Sequence, residues 1–304
     1  MIRVEKHTRG IAVSADGGLD SNGRTRNLEL LLGADQAIVA SGRLVVSTDA
    51  VGAVLEALGL DGVVWDRDLL AAARRRQGNK ESQMRARLEV ARALDEPYKA
   101  LAGYARLNRL DPHQVEAVAA IVSPSLKGIA IFDEQGTGKT IMALAAFDWL
   151  RERGSAQRLL VVAPKSVLAT WQLQCVEFLA DQYRVVLVAG SAAERRRAIL
   201  RPHDILLVGY DAAVASEQML FTAVSSRPFS YVLVADESYF VKNPATARAR
   251  VVARLRAQCE RAVVLCGTPA PNTAVDVVNQ VDIADGGLAF AGRVISKDAE
   301  AAYS

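Results

Sequence analysis

The chain has 304 residues, of which 51% are hydrophobic and 23% charged, a composition typical of a globular protein of about two domains. Its formal net charge of +3 is too small to indicate nucleic-acid binding by itself. The chain begins without an apolar signal region, and no apolar run reaches the roughly 20 residues that cross a bilayer, so we expect a cytoplasmic protein with no membrane partner. The 3 cysteines lack metal-ligand spacing, which favours buried thiols over a disulfide or a zinc site.

The first hundred residues predict a small α+β module. Short apolar segments separated by Gly, Asn and Asp predict strands within residues 3–15, 28–32, 37–39 and 44–46. The chain then becomes helical from Thr48 to Leu58. Residues 71–94 predict helices interrupted by a basic, polar break at 74–80, for which a solvated linker is favoured over a DNA-facing segment. We therefore assign residues 1–100 to an N-terminal accessory module with a helical linker and residues 101–304 to a second domain.

From residue 128 onward, apolar segments of strand length alternate with helical segments. The predicted strands are 128–132, 158–163, 185–189, 205–209, 231–235 and 262–266. Repeated β-α units indicate a parallel sheet covered by helices on both faces, with ligands at the carboxyl ends of its strands. Asp133, Asp236 and Gly267 directly follow predicted strands, so we expect them to lie at one edge of the sheet.

The segment from Asp133 to Thr140 has the pattern of a phosphate loop between a strand and a helix. Gly136 and Gly138 would let the backbone approach a phosphate, whose negative charge is attracted by amide N–H groups and a helix N-terminus. Lys139 adds a cation, and the Thr140 hydroxyl can hold Mg²⁺. The general pattern has a further glycine where this chain has Asp133, and the flanking strand and helix argue against a chance match. The segment predicts binding of ATP or GTP.

Asp236 and Glu237 follow the apolar segment 231–235, about a hundred residues after the loop. A carboxylate at the end of a buried strand can hold Mg²⁺, and its neighbour can orient and deprotonate an attacking water. An Asp-Glu pair alone is weak support, since such pairs are mostly solvated loop charges. Together with the phosphate loop, it predicts hydrolysis of a nucleoside triphosphate.

Six segments in this order resemble the ATPase motor of superfamily 2 helicases, and among these the Swi/Snf-type DNA translocases. Residues 133–140 resemble motif I in its D-E-x-G-x-G-K-T form, which accounts for the missing glycine. The other matching segments are 110–114 upstream of motif I, 162–171 (motif Ia), 207–211 (motif Ib), 236–244 (motif II) and 265–272 (motif III). The resemblance covers roughly residues 105–290 and implies a RecA-like lobe that binds ATP and Mg²⁺.

The resemblance also implies roles for individual residues. Nucleotide binding would involve Gln114 (at the adenine), Asp133, Gly136, Thr137, Gly138, Lys139 and Thr140. Catalysis would involve Lys139, Asp236 and Glu237, Mg²⁺ would be held by Thr140 and Asp236, and nucleotide state would be relayed by Gly267 and Thr268. Lys165 and Tyr210 match positions near the path of double-stranded DNA, where backbone contacts position the nucleic acid without reading its sequence.

Two departures from the family pattern bear on function. Motif II usually reads D-E-A-H or D-E-G-H, but this chain has Ser238-Tyr239, so coupling to motif III is expected to differ. No motif of a second lobe appears before Ser304, so we expect a second RecA-like lobe to act in trans or to have been lost from a longer protein. The arginine clusters at 195–201 and 248–256 are interpreted as solvated helix faces.

The leading hypothesis is the ATP-binding lobe of a Swi/Snf-type DNA-dependent ATPase, a hydrolase that is incomplete as an isolated chain. One alternative is a non-catalytic, nucleotide- or DNA-binding regulatory lobe that docks on a separate second lobe. Another is a phosphate-loop ATPase of a different family, which the ordered motifs disfavour.

Overall fold

The computed structural model describes residues 1–8, 10–15, 37–40, 43–47, 50–226 and 228–290. The chain separates into two units, residues 1–84 and 85–304. Among the described residues, no helix has both the length and the apolar character needed to cross a membrane.

The first unit contains a five-stranded mixed sheet and one short packed helix. Its strands are β1 (Ile2–His7), β2 (Gly10–Ala15), β3 (Ala37–Ala40), β4 (Arg43–Val46) and β5 (Val63–Trp65), in the order β3-β4-β2-β1-β5. Only the β1–β5 pair is parallel among these neighbours. Helix α1 (Val51–Leu58) contributes Val54 and Leu58 to the core of this unit. The α+β prediction is confirmed here, whereas the strand predicted at 28–32 lies outside the described residues.

A single helix, α2 (Arg67–Asp95), replaces the two helices and basic break predicted for residues 71–94. The Asp66 carboxylate accepts hydrogen bonds from the N–H groups of Asp68 and Leu69, at 3.0 and 3.1 Å, and so caps its first turn. Arg, Gln and Lys are good helix formers, and the one unfavourable residue in the break, Gly78, costs only about 1 kcal/mol in a helix. The prediction of a break was wrong because polarity alone does not end a helix.

The second unit is built on a six-stranded sheet in which every neighbouring pair is parallel. Its strands are β6 (Gly128–Ile131), β7 (Arg158–Ala163), β8 (Val185–Val188), β9 (Ile205–Gly209), β10 (Tyr231–Asp236) and β11 (Arg261–Leu265). Its helices are α3 (Pro97–Ala100), α4 (Pro112–Ile121), α5 (Lys139–Glu152), α6 (Leu168–Leu179), α7 (Ala192–Leu200), α8 (Tyr210–Ala215), α9 (Glu217–Ser225), α10 (Ala247–Arg256) and α11 (Asp276–Asp285).

Helices cover both faces of this sheet, as the alternation of side chains along β7 shows. Leu159 and Val161 belong to the core formed with α4, α5 and α6. Leu160 and Val162 point the other way, into the core formed with α7 to α11. Strands buried on both faces are nearly continuous apolar runs, which is why these strands were predictable. The RecA-like parallel fold is therefore confirmed.

The strand order is β6-β11-β10-β7-β9-β8, so only β10–β11 and β8–β9 are neighbours both in sequence and in the sheet. Leu265 pairs with Ile131 on one side and with Asp236 on the other, so β6, β11 and β10 end at the same level. The segments that follow the strands therefore lie along one edge in the spatial order motif I, III, II, Ia and Ib. Motif III is last of these in the chain but lies between motifs I and II in space.

A buried carboxylate fixes the segment upstream of motif I to the helix that follows the loop. Asp148 of α5 has no solvent exposure and accepts hydrogen bonds from Tyr104 (3.0 Å) and Tyr183, with an ion pair to Arg106. Burial raises the pKa of the Tyr104 and Tyr183 hydroxyls, with Asp148 acting in the same direction, so both remain donors. Removing one partner of such a buried ion pair costs about 3–5 kcal/mol, so the segment that leads into α4 is held firmly against α5.

Candidate functional site: the carboxyl edge of the parallel sheet

The phosphate-loop candidate, residues 133–138, connects β6 to α5 and contains two glycines in the left-handed region. Gly136 has φ +86° and Gly138 has φ +80°, which favours glycine at both positions. A Cβ atom on Gly138 would also collide with the Gln114 side-chain amide. The loop therefore has the conformation that lets the first N–H groups of α5 face an anion.

The Lys139 ammonium lies across this loop. Its Nζ donates to the carbonyl oxygens of Asp133 at 2.9 Å and Glu134 at 2.7 Å. Thr137 also braces the loop, since its hydroxyl donates to the Glu134 carbonyl at 3.0 Å. Thr140 follows Lys139 in the first turn of α5, where its hydroxyl oxygen has the donor chemistry that suits Mg²⁺.

Gln114 supports the loop from α4. Its Oε1 accepts the Asp111 N–H at 3.1 Å in a capping box, and its Nε2 donates to the Thr137 carbonyl at 3.2 Å. His113 lies on the same carbonyl oxygen, with Nε2 2.9 Å away. Both ends of the Gln114 amide are thus engaged by the protein, and its role at the adenine remains a prediction.

Asp236 is the last residue of β10, and its carboxylate is held by two donors. Oδ2 accepts the indole N–H of Trp171 at 2.8 Å, and Oδ1 accepts the Glu237 backbone N–H at 2.9 Å. Burial raises the pKa of Asp236, while these hydrogen bonds and the charge of Lys139 act against that rise. The carboxylate oxygens are therefore oriented rigidly, with Lys139 close enough to act on them electrostatically.

Glu237 has the left-handed backbone conformation, with φ +50°, which is uncommon for a residue other than glycine. Such a conformation costs on the order of 1–3 kcal/mol and persists only where the surroundings impose it. Burial and then the charge of Asp236 raise the pKa of Glu237, and Lys139 lowers it. A raised pKa makes this carboxylate a stronger base.

Motif III is in contact with motif I. A Cβ atom on Gly267 would lie 2.9 Å from Cγ of Gln135 in the phosphate loop, so any larger residue there would require the Gln135 side chain to move. The Cys266 N–H donates to the Ile131 carbonyl at 3.1 Å, which continues the pairing beyond β11. The structure thus brings Gly267 to motif I, while the relay roles of Gly267 and Thr268 remain predictions.

Two aromatic residues of motifs Ia and Ib converge on Asp236. Trp171, at the end of the motif Ia segment, is fully buried and donates to the Asp236 carboxylate. Tyr210 was predicted at the DNA path, but its side chain is only 3% exposed. Its hydroxyl donates to the Asp236 carbonyl at 2.8 Å, and its ring stacks on Phe240. This placement favours support of motif II over a direct DNA contact by Tyr210. A buried Trp or Tyr needs a polar partner, but the sequence does not say which one.

Next to these residues is a basic cavity of about 520 Å³ between the ends of β7 and β9. Lys165, Arg195 and Arg248 line it, with Asp211 as the acidic residue of the lining. Arg248 pairs with Asp211 at 2.7 Å, whereas Lys165 has no ion-pair partner within the described part of the chain. The two arginines, interpreted from sequence as parts of solvated faces, thus contribute to one positively charged concave surface.

A parallel sheet with a phosphate loop and an acidic pair at its carboxyl edge defines the class of RecA-like α/β lobes. The chain belongs to the family of the SNF2-related domain, whose model matches residues 64–285, more than half of the chain.

Individual relatives are distant. The chain is 28% identical over 157 residues to the Drosophila melanogaster homologue of SWI/SNF-related matrix-associated actin-dependent regulator of chromatin subfamily A containing DEAD/H box 1, covering 48% of this chain and 18% of that protein. It is 26% identical over 153 residues to the human DNA annealing helicase and endonuclease ZRANB3, covering 50% of this chain and 14% of that protein. The chain therefore spans less than a fifth of these relatives' length.

A similar solved structure is the Sulfolobus solfataricus SWI2/SNF2 ATPase core in complex with double-stranded DNA. The match has a TM-score of 0.50 and 25% sequence identity, and covers 59% of this chain and 36% of that chain.

The hydrogen bond from Trp171 to Asp236 generates a test of metal binding. Trp171→Phe keeps an aromatic ring but removes a donor to a charged group, a contact worth about 1.5–3 kcal/mol. We expect weaker Mg²⁺-dependent binding of an ATP analogue and unchanged binding in EDTA, measured by calorimetric titration. Trp149→Phe is the matched control, because the Trp149 indole N–H has no hydrogen-bond partner among the described residues. Equal behaviour of the two variants would contradict the role assigned to Trp171.

Proposed function

We propose that this chain is the ATP-binding lobe of a Swi/Snf-type, DNA-dependent ATP hydrolase that moves on double-stranded DNA. The observation that carries the proposal is that motifs I and II lie at the same edge of the sheet, because β6, β11 and β10 end at one level. Membership of the SNF2-related family supports ATP as the nucleotide.

Each chemical role falls to a residue at the sheet edge. Lys139 and the N–H groups at the start of α5 bind the phosphates, a task for which a helix N-terminus and an ammonium are suited. The oxygens of Thr140 and Asp236 fit Mg²⁺, which when bound neutralises charge on the phosphate oxygens. Glu237, whose pKa burial raises, takes the proton of the attacking water.

Lys139→Ala tests nucleotide binding by this chain. Removing a charge-assisted phosphate contact should cost about 1.5–3 kcal/mol, or roughly a 10- to 100-fold loss of affinity for Mg²⁺-ATP. Titration of a fluorescent ATP analogue measures it. Lys127→Ala is the control, since Lys127 is exposed and precedes β6 at the opposite edge of the sheet. Equal affinities of the wild type and Lys139→Ala would refute Lys139 as a phosphate ligand.

We place the DNA on the basic cavity between β7 and β9. Lys165 and the two arginines give the surface that a sugar-phosphate backbone requires, and the similar Sulfolobus structure is a complex with double-stranded DNA. The buried Tyr210 lines this surface and donates to the Asp236 carbonyl, so it connects the proposed DNA and metal sites.

Lys165→Ala should weaken DNA binding to the same extent for unrelated duplex sequences, because a phosphate contact carries no sequence information. It should also lower the salt dependence of the affinity by about one phosphate contact. Fluorescence anisotropy with two labelled duplexes at several salt concentrations measures both effects. Lys127→Ala should leave affinity and slope unchanged. A sequence-dependent loss, or none, would argue against a backbone contact by Lys165.

The proposal includes a second RecA-like lobe, in cis or in trans. Within the part of the chain that the structure describes, the hydrogen bonds of Lys139, Asp236 and Glu237 involve no arginine. An arginine finger contributes roughly 10³–10⁵ in the rate of phosphoryl transfer, so a partner lobe would be its source. The alternative, a regulatory lobe without turnover, is favoured by one feature only, the Tyr239 that stands where the family has His.

Phosphate release by the purified chain with saturating duplex DNA distinguishes these hypotheses. We expect very slow turnover by the chain alone, and a large DNA-stimulated increase when a second Swi/Snf-type lobe is fused to it. Glu237→Gln in the fused protein should abolish the increase while nucleotide binding persists. Turnover of about 1 s⁻¹ or more by the chain alone, within the usual range for enzymes and lost in Lys139→Ala, would show that no second lobe is needed.

We also propose a reducing compartment, the cytoplasm, as the location of the protein. Cys175, Cys259 and Cys266 are free and buried, and such thiols persist where the surroundings keep them reduced.

A further inference from the structure

Helix α11 follows motif III, and one of its side chains connects motif II to motif III. Gln280 has no solvent exposure. Its Oε1 accepts a hydrogen bond from the Ser238 hydroxyl, and its Nε2 donates to the carbonyl oxygens of Pro269 at 2.6 Å and Asp276 at 2.7 Å. One amide therefore joins the residue after Glu237 to the residue after Thr268.

The bridge is fully buried at Ser238 and Gln280 and half-buried at Pro269. Ser238, like Gln280, has no solvent exposure, and both amide protons of Gln280 and its oxygen are used. A buried polar group left without a partner costs about 1–3 kcal/mol, so these bonds are retained unless a larger change drives them apart. These hydrogen bonds thus form a stiff connection between the segment that follows β10 and the segment that follows β11.

Residue 239 does not make this connection. Tyr239 is 37% exposed, and its ring packs against Phe240 with centroids 4.6 Å apart. No hydrogen bond of its hydroxyl is present among the described residues. The link from the residue after Glu237 to the residue after Thr268 therefore runs through Ser238 and Gln280.

Two further contacts fasten α11 to the segment that continues motif II. Lys242 pairs with Asp276 at 2.9 Å, and Asn279 Nδ2 donates to the Val241 carbonyl at 2.5 Å. The same Asp276 carboxylate accepts the backbone N–H of Asn272 at 3.1 Å, so a second connection runs from Lys242 to the end of motif III. The Gln280 amide makes the connection that reaches Pro269, directly after Thr268.

We propose that Gln280 is a positioning residue that transmits the nucleotide state of motif II to motif III. Glu237 is held in a strained backbone conformation directly before Ser238, so a change in its backbone displaces the Ser238 hydroxyl. Gln280 passes that displacement to Pro269 and hence to Thr268. The inference rests on the proposed ATP-binding function, and it adds a residue outside the six motifs to the coupling path.

Hydrogen–deuterium exchange of the full chain, with and without Mg²⁺ and a non-hydrolysable ATP analogue, tests the inference. Peptides covering residues 133–142 report nucleotide binding, and peptides covering 265–275 report motif III. In the wild type we expect the nucleotide to change exchange in both regions. In Ser238→Ala and in Gln280→Leu the change at 133–142 should persist, and the change at 265–275 should be lost.

Two further variants separate coupling from stability. Ser238→Ala/Gln280→Leu removes both polar partners in the pair, which avoids leaving either one buried and unpaired, and should behave like the single variants. Asn279→Ala removes a contact of the same helix to motif II but keeps the bridge, so both regions should respond as in the wild type. A purely structural role would raise exchange equally with and without nucleotide and leave the difference intact.

Each remaining outcome counts against a specific claim. A nucleotide-dependent change at 265–275 that survives in the Ser238 and Gln280 variants overturns the role of Gln280. A wild type that responds at 133–142 but not at 265–275 overturns it as well. A wild type that responds in neither region refutes ATP binding itself, and the inference fails with it.

Discussion

The parallel arrangement of six strands in the order β6-β11-β10-β7-β9-β8 is the constraint on which the site depends. Parallel strands end at a common edge, so every segment that follows a strand reaches the same side of the sheet. The insertion of β11 between β6 and β10 puts motif III between the phosphate loop and the acidic pair. Gly267 can therefore approach Gln135 of the loop, and nothing in the chain order of the motifs requires this.

Charge at this edge is balanced within a largely buried setting. Asp236 and Glu237 are adjacent carboxyls whose pKa values burial raises, and Lys139 opposes the rise at both. The carboxylate of Asp236 is oriented by two N–H donors, and Glu237 is oriented by a backbone conformation that few residues adopt. These hydrogen bonds fix the Asp236 oxygens before any ligand arrives, as the proposed phosphoryl-transfer chemistry requires.

The acidic pair is also the point where the elements of the lobe meet. Trp171 reaches Asp236 from α6, Tyr210 reaches it from the start of α8, and Gln280 reaches the adjacent Ser238 from α11. Buried aromatic and amide groups must satisfy their donors, so each of these contacts resists separation. Displacement of any of these three elements consequently acts directly on motif II.

The sequence by itself determined the features that depend on neighbouring residues. The phosphate loop was predictable because strand, glycines, Lys139 and helix are contiguous, and the strands because burial on both faces requires apolar runs. The order of the motifs likewise identified the family. The basic segment at 74–80 led to a wrong prediction, because a charged stretch in the sequence can be an exposed helix or a linker. The structure shows that it is part of the continuous helix α2.

Only the tertiary structure decided which side chains meet. Trp171 and Asp236 are 65 residues apart, and Ser238 and Gln280 are 42 apart, with no pattern in the sequence that pairs them. Tyr210 faces inward because the helix after β9 packs against the sheet, which turns a residue expected at the DNA surface toward motif II. Local chemistry specifies which groups need a buried partner, but the order of the strands and the packing of the helices choose the partner.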